Sequence, residues 1–335
     1  MRIFRKSLAL IIVSLFLLLG LPAPANAASG FYISNGRLYD ANGVEFVMRG
    51  INHPHAWFPW ETGAFEEISN LGANTIRVVL SNGDVFDRTT TAQVQQAVNE
   101  CKEHRLVCVL EVHDTTGYGD TDGNAPAGAA ALSRAVDYWK SMAGVLKGQE
   151  RYVIINIGNE PYGNQGNNKV YNWTRDSVSA VKAMRAAGFT HTLMVDAPNW
   201  GQDWTNTMKE DGGLVLQADP LQNTMLSVHM YGVYQDAGKI AEYLDHFIRW
   251  NEWPIVIGEF GHEQGGQNVN EGAIMTAAQE RGIGYIGWSY SGNSGGDETL
   301  DIVRNFDPAQ LTWWGQQLLY HPAGINNTSR RASVY

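Results

Sequence analysis

Eight apolar runs of strand length recur along the chain, about 35 residues apart: Phe46–Gly50, Thr75–Leu80, Val107–His113, Val153–Gly158, Thr192–Asp196, Met225–His229, Ile255–Glu259 and Tyr285–Tyr290. Between them, Thr91–Glu103, Ala129–Leu146, Lys169–Ala187, Lys239–Trp250 and Glu271–Arg281 carry apolar residues at three- and four-residue steps, the spacing of an amphipathic helix. Strands that alternate with helices through short connections run parallel, and eight such units close into a (β/α)8 barrel. An open doubly wound sheet is the rival. The regular spacing and the lack of a phosphate loop after the first strand favour the barrel. Before it, Asn35-Gly36 and Asn42-Gly43 separate short alternating segments, which predicts an N-terminal β-hairpin.

The first residues are not part of this pattern. Arg2, Arg5 and Lys6 precede the apolar stretch Leu8–Leu19, Pro22 and Pro24 break it, and Ala25-Asn26-Ala27 supplies small residues. That is the layout of a secretory signal peptide over residues 1–27. A secreted protein would then begin near Ala28, with no other segment apolar enough to span a bilayer. The expected organisation is one catalytic domain over 28–325 and a polar, frayed tail over 326–335. A net charge of −10 argues against nucleic acid or an anionic membrane as partner and suits an uncharged polymer. Monomer is the default. Cys101 and Cys108 are the two cysteines; export permits a disulfide between them, but its formation depends on geometry.

Two glutamates stand out. Glu160, in Asn159-Glu160-Pro161, follows the fourth apolar run, and Glu259 closes the seventh. A carboxylate at the end of a buried strand costs solvation free energy unless it has partners. Strand C-termini form the face of a barrel where loops build active sites. Paired carboxylates there are what glycosidic bond cleavage requires, one as acid and one as nucleophile or base. Taken singly, each motif is weak, because a strand-end glutamate often serves only a loop salt bridge. Joint placement at the same strand ends carries the inference.

With Arg77 in the second run, His113 ending the third, His229-Met230-Tyr231 ending the sixth and Trp288 in the eighth, the pattern resembles glycoside hydrolase family 5, on a TIM barrel. The match is nearest to the bacterial endo-β-1,4-mannanases, through Val112-His113-Asp114-Thr115-Thr116-Gly117-Tyr118-Gly119 and Gly258-Glu259-Phe260-Gly261-His262-Glu263. The resemblance implies a retaining hydrolase without cofactor or metal, with Glu160 as acid/base and Glu259 as nucleophile. Arg77 would keep Glu259 ionised and Tyr231 would orient it. Asn159 would bind the 2-hydroxyl of the sugar under attack, His113 and His229 would line the site, and Trp288 would form its floor.

Eleven tryptophans are many for 335 residues. Trp57, Trp60, Trp173, Trp200 and Trp204 are expected in loops, where an indole can stack on the apolar face of a pyranose. Trp60 and Trp200 are the better subsite candidates, while Trp313 and Trp314 are expected in the core. Other motifs fail on context. Gly282–Gly287 matches G-x-G-x-x-G but leads into a strand. His53-Pro54-His55 lacks zinc-site spacing, and Asp297, Glu298 and Asp301 read as a solvated loop more readily than a calcium site.

The sequence therefore predicts a secreted hydrolase of mannan, glucomannan and galactomannan. A β-1,4-endoglucanase with the same chemistry is the near alternative, and a non-catalytic glycan-binding barrel the distant one.

Overall fold

The computed structural model describes residues 30–335; the expected signal peptide lies outside them. Eight parallel strands close into one barrel, as the spacing predicts. They are β1 (Arg49–His53), β2 (Thr75–Leu80), β3 (Val107–Val112), β4 (Val153–Asn156), β5 (Leu193–Asp196), β6 (Thr224–Met230), β7 (Ile255–Phe260) and β8 (Gly284–Gly287). The ring closes where Tyr285 pairs with Arg49 on one side and with Ile257 on the other. Outside it lie α1 (Ala64–Asn70), α2 (Thr91–Glu103), α3 (Leu132–Ser141), α4 (Tyr171–Ala186), α5 (Thr207–Gln217), α6 (Ala237–Asp245), α7 (Glu271–Arg281) and α8 (Trp313–Tyr320). No helix among the described residues is long and apolar enough to cross a membrane.

Strand side chains alternate between two faces. Cys108 and Leu110 of β3 point out and join the helix-facing core with Val98 of α2 and Trp139 of α3. Val107 and Val109 point in and pack with Ile154, Met194, Val256 and Ile286 to fill the floor of the barrel. Phe31 and Leu38 plug that floor from below. They come from the predicted hairpin, in which Tyr32–Ser34 pairs with Arg37–Tyr39. Its turn residues Asn35 and Gly36 both have positive φ, 49° and 69°, the backbone an Asn-Gly turn supplies at low cost.

Four expectations need correction. The first barrel strand begins at Arg49, not Phe46, because Phe46 N–H bonds Leu38 O at 2.8 Å and its ring joins the floor plug. The last ends at Gly287 because the next residues divide their bonding: Trp288 and Tyr290 N–H still reach Phe260 O and Asn52 O, both at 2.8 Å, while Ser289 N–H bonds Leu300 O and Val303 N–H bonds Tyr290 O, both at 3.0 Å. Helices α1 and α5 were not foreseen. The first is short, and the second contains Gly212 and Gly213, which lie flat against Leu226 and Trp253. The tail is not frayed. Arg331 bonds the carbonyls of Ala73, Arg105 and Ser69, and Tyr335 Oη–H donates to Leu106 O. Cys101 and Cys108 are buried free thiols.

Candidate active site

Going up each strand, the inward positions change from apolar to polar. On β3 they run Val107, Val109, Glu111 and then His113; on β4, Ile154 then Asn156; on β5, Met194 then Asp196. All of these polar residues are buried or nearly so. Burying charge costs several kcal/mol per ion unless it is paired, and here the pairing centres on Arg77 of β2.

Arg77 is fully buried and spends its donors on five side chains. Nε bonds Asn156 Oδ1 at 2.9 Å, Nη1 bonds Asn52 Oδ1 at 3.0 Å and Glu259 Oε1 at 2.8 Å, and Nη2 bonds Asn159 Oδ1 at 2.7 Å and Asp196 Oδ2 at 3.1 Å. Glu111 lies 3.8 Å away. Burial disfavours the cation, but Glu111, Asp196 and Glu259 outweigh it and raise the Arg77 pKa. The guanidinium is thus a fixed charge that indexes five strands and the loop after β4 to one another.

Glu259 reaches this centre through a register shift. Val228 pairs with Ile257, but His229 pairs with Glu259, so Gly258 is an extra residue on β7. Such a bulge re-aims the side chains beside it, and here Glu259 faces His229. Gly258 tolerates the crowding because it has no Cβ; one would press on Ser227 Oγ and sit 3.1 Å from His229 Nε2. Glu259 has both oxygens held, Oε1 by Arg77 and Oε2 by Tyr231 Oη–H at 2.9 Å. Burial raises the Glu259 carboxyl, and His229 and Arg77 pull it back. The expected influence of Arg77 is therefore present but does not prevail. Tyr231, pushed well up by burial and then by Glu259, keeps its proton and can donate.

Glu160 sits past the end of β4 with φ of 41°, a left-handed conformation that costs a non-glycine residue free energy and recurs at functional sites. Asp196 accepts its N–H at 3.3 Å. Its Oε1 lies 2.7 Å from His229 Nδ1, and Glu259 Oε2 lies 3.5 Å from the same nitrogen. The other ring nitrogen, Nε2, is 3.3 Å from Asp196 Oδ2. Burial opposes charge on this ring, but Glu259 and Asp196 overcome it and raise His229 to about 10. Burial likewise opposes charge on Asp196, and His229 and Arg77 lower it to about 2. His229 is therefore an imidazolium wedged between the two glutamates, and one oxygen from each lies within 4.8 Å of the other.

Trp288 walls this site. Its ring lies at 23° to that of His113, centroids 5.7 Å apart, and Trp57 meets both edge-on. His113 bonds Glu111 Oε1 through Nδ1 at 2.9 Å; burial lowers its pKa, but Glu111 prevails and raises it. Asn159 gives one N–H to Thr116 Oγ1 at 2.8 Å while its oxygen serves Arg77. The structure thus brings Arg77, His113, Asn159, Glu160, His229, Tyr231, Glu259 and Trp288 together. Trp60 is 68% exposed and packs edge-on to Phe58, outside this cluster. Trp200 packs over Gly117 at the rim. Trp173 is not a loop residue: it is buried in α4, its indole N–H donating to Asp196 O at 2.8 Å. Trp313 is 51% exposed and not core, whereas Trp314 is buried.

Asn52, Glu111, Asn156 and Asp196 were missed. The signal was present, because each is a polar residue at an inward position of a strand whose lower inward neighbours are small or apolar. Two groups among the described residues bring three possible metal ligands together. One is the Glu160–His229–Glu259 set, where the imidazolium is itself a cation. The other, Glu100, Glu103 and His104, is a solvated acidic turn on α2 and its cap. Asp297 and Asp301 serve as acceptors for Gly265 N–H and Asn293 and do not converge on a cation.

The family described as cellulase (glycosyl hydrolase family 5) matches residues 39–294. The chain belongs to glycoside hydrolase family 5. It is 49% identical over 310 residues to a mannan endo-1,4-beta-mannosidase of Streptomyces lividans, covering 92% of this chain and 78% of that one. It is 48% identical to one from Cellvibrio japonicus, covering 93% and 71%. The structure of a Thermomonospora fusca β-mannanase in complex with mannohexaose superposes with a TM-score of 0.87 at 51% identity, covering 92% of this chain and 99% of that one.

Proposed function

We propose that this family 5 chain is a secreted, endo-acting β-1,4-mannanase that hydrolyses mannan, glucomannan and galactomannan with retention, as a monomer and without cofactor. The observation that carries the mechanism is the pair of glutamate oxygens within 4.8 Å of each other. Retaining enzymes hold their carboxyl groups about 5–5.5 Å apart, and inverting ones leave a wider gap for water. Relatives at 48–49% identity that bear the mannosidase name support the substrate class.

Glu259 attacks the anomeric carbon while Glu160 gives its proton to the departing glycosidic oxygen. A glycosyl ester forms on Glu259, and Glu160, now a carboxylate, takes a proton from the water that hydrolyses it. Arg77 and Tyr231 hold the two oxygens of the nucleophile in line. The His229 imidazolium faces both carboxylates, so it compensates charge on whichever is ionised as the reaction moves from one to the other. Asn159 can meet the 2-hydroxyl with its second N–H, and Trp288 supports the sugar from below. Trp60 and Trp200 are outer subsite platforms in this reading.

Two measurements test it. Reducing-sugar release is compared on linear mannan, carboxymethyl-cellulose and xylan, with mannan expected to dominate; release chiefly from cellulose would make the chain an endoglucanase. Proton NMR of the first product formed from a mannooligosaccharide should show the β-anomer. An initial α-anomer would rule out the double displacement.

A further inference from the structure

Stacking alone does not fix the Trp288 ring. His113 covers one face, and beside the indole lies a cavity of about 370 Å³ lined in part by Trp57, Phe58 and Asn293. The outer side-chain torsion of a tryptophan occupies a broad well, so a ring covered on one side can still tilt. Its only polar atom, Nε1, donates to Asn293 Oδ1 at 3.0 Å.

Asn293 is itself tied at three points. Its backbone N–H and its Nδ2 both bond Asp301 Oδ1, at 2.9 and 2.7 Å, and Nδ2 also reaches Ser289 Oγ at 3.0 Å. Asp301 stands on firm ground: its neighbours Leu300 and Ile302 pair with Ser289, and its carbonyl accepts Thr312 Oγ1–H at 2.6 Å. Thr312 caps α8 through Gly315 N–H at 3.0 Å. An amide suits position 293 because it must accept from the indole and donate to a carboxylate at once. Aspartate there would face Asp301 with like charge, and leucine would leave the indole N–H without a partner.

We propose that Asn293, anchored by Asp301, is a positioning residue that sets the plane of Trp288 under the sugar at the cleavage point. The inference rests on the glycosidase reading. The loop joining β8 to α8 thereby acts on the chemical step without touching the scissile bond. A small tilt of the platform misplaces the sugar relative to Glu259, and such errors cost rate more than binding.

The test is a double-mutant cycle of Asn293→Ala with Trp288→Phe, since phenylalanine has no N–H to hold. In the native background N293A should lower kcat on soluble mannan about tenfold and leave KM within about twofold. In the W288F background it should cost less than about twofold. Asp301→Ala should reproduce N293A, whereas Asp301→Asn, which keeps an acceptor oxygen, should retain most of kcat. An equal loss from N293A in both backgrounds would overturn the proposal, as would full activity in D301A. If circular dichroism shows N293A unfolded, the D301A–W288F cycle carries the same two outcomes. A crystal structure of N293A separates this inference from the substrate reading: a displaced Trp288 ring is expected, and an unmoved ring would overturn it whatever polymer is cleaved.

Discussion

Arg77 Nη1 lies 2.8 Å from Glu259 Oε1, and the two side chains are 0% and 5% exposed. Removing one partner of a buried pair leaves an uncompensated charge, which costs roughly 3–5 kcal/mol. Here Arg77 also neutralises Asp196 and Glu111. Arg77→Met should therefore lower stability by at least that range in urea unfolding, together with activity. Arg77→Lys should recover part of the stability but little of the activity, because one ammonium cannot serve five acceptors spread around a planar fork. A fully stable R77M would show that the barrel does not depend on this charge.

Gly258→Ala tests the bulge. The added methyl group meets Ser227 Oγ and His229 Nε2, so either β7 shifts or the imidazole does. Displacing Glu259 or His229 by even about 1 Å should cost on the order of 100-fold in kcat. Native-like circular dichroism with a collapsed kcat is the expected result. Unchanged kcat would mean that the strand absorbs the methyl elsewhere.

Asp196→Asn removes the counter-ion from His229 Nε2. With Asp196 in place, the His229 pKa is raised from 6.5 to about 10. The stability from its charge is fully present below pH 6.5 and is lost as pH rises towards 10. Without Asp196 the ring should release its proton at lower pH. The alkaline limb of the kcat profile should then move towards neutrality in D196N, and an unmoved limb would disconnect His229 from the rate.

His55 has the opposite sign. It is buried beside Phe65, neither ring nitrogen has a hydrogen-bond partner among the described residues, and burial lowers it from 6.5 to about 4. Its contribution is full above pH 6.5 and is lost as pH falls towards 4, about 3 kcal/mol in all. Urea unfolding at pH 7 and pH 4.5 should show a smaller acid loss for His55→Leu than for the native chain. Equal losses would place the acid sensitivity elsewhere, with His53 the next candidate, since burial and the neighbouring His55 also hold it well below the usual imidazole range.

The barrel was legible because strand and helix periodicities are local. The two glutamates were legible because a charged residue directly after a buried run is conspicuous. Glu111, Asn156 and Asp196 were not read, although their parity along β3, β4 and β5 marks them as inward. A strand buried on both faces is apolar at nearly every position, and that continuity masks the alternation that separates its inward residues from its outward ones. Trp173 and Trp313 were exchanged in role because aromatic content does not tell which face of a helix meets the sheet.

By itself, the sequence determined the eight-unit barrel, its N-terminal hairpin and which strand ends carry Glu160 and Glu259, since these follow from period, turn residues and strand length. Only the tertiary structure decided how those groups act on one another. The Gly258 bulge that turns Glu259 to His229, the five-way bonding of Arg77 and the Asp301–Asn293–Trp288 chain join residues up to 182 positions apart. Their distances are set by barrel closure and register, which no local pattern encodes, and the charges of a buried site depend on those distances.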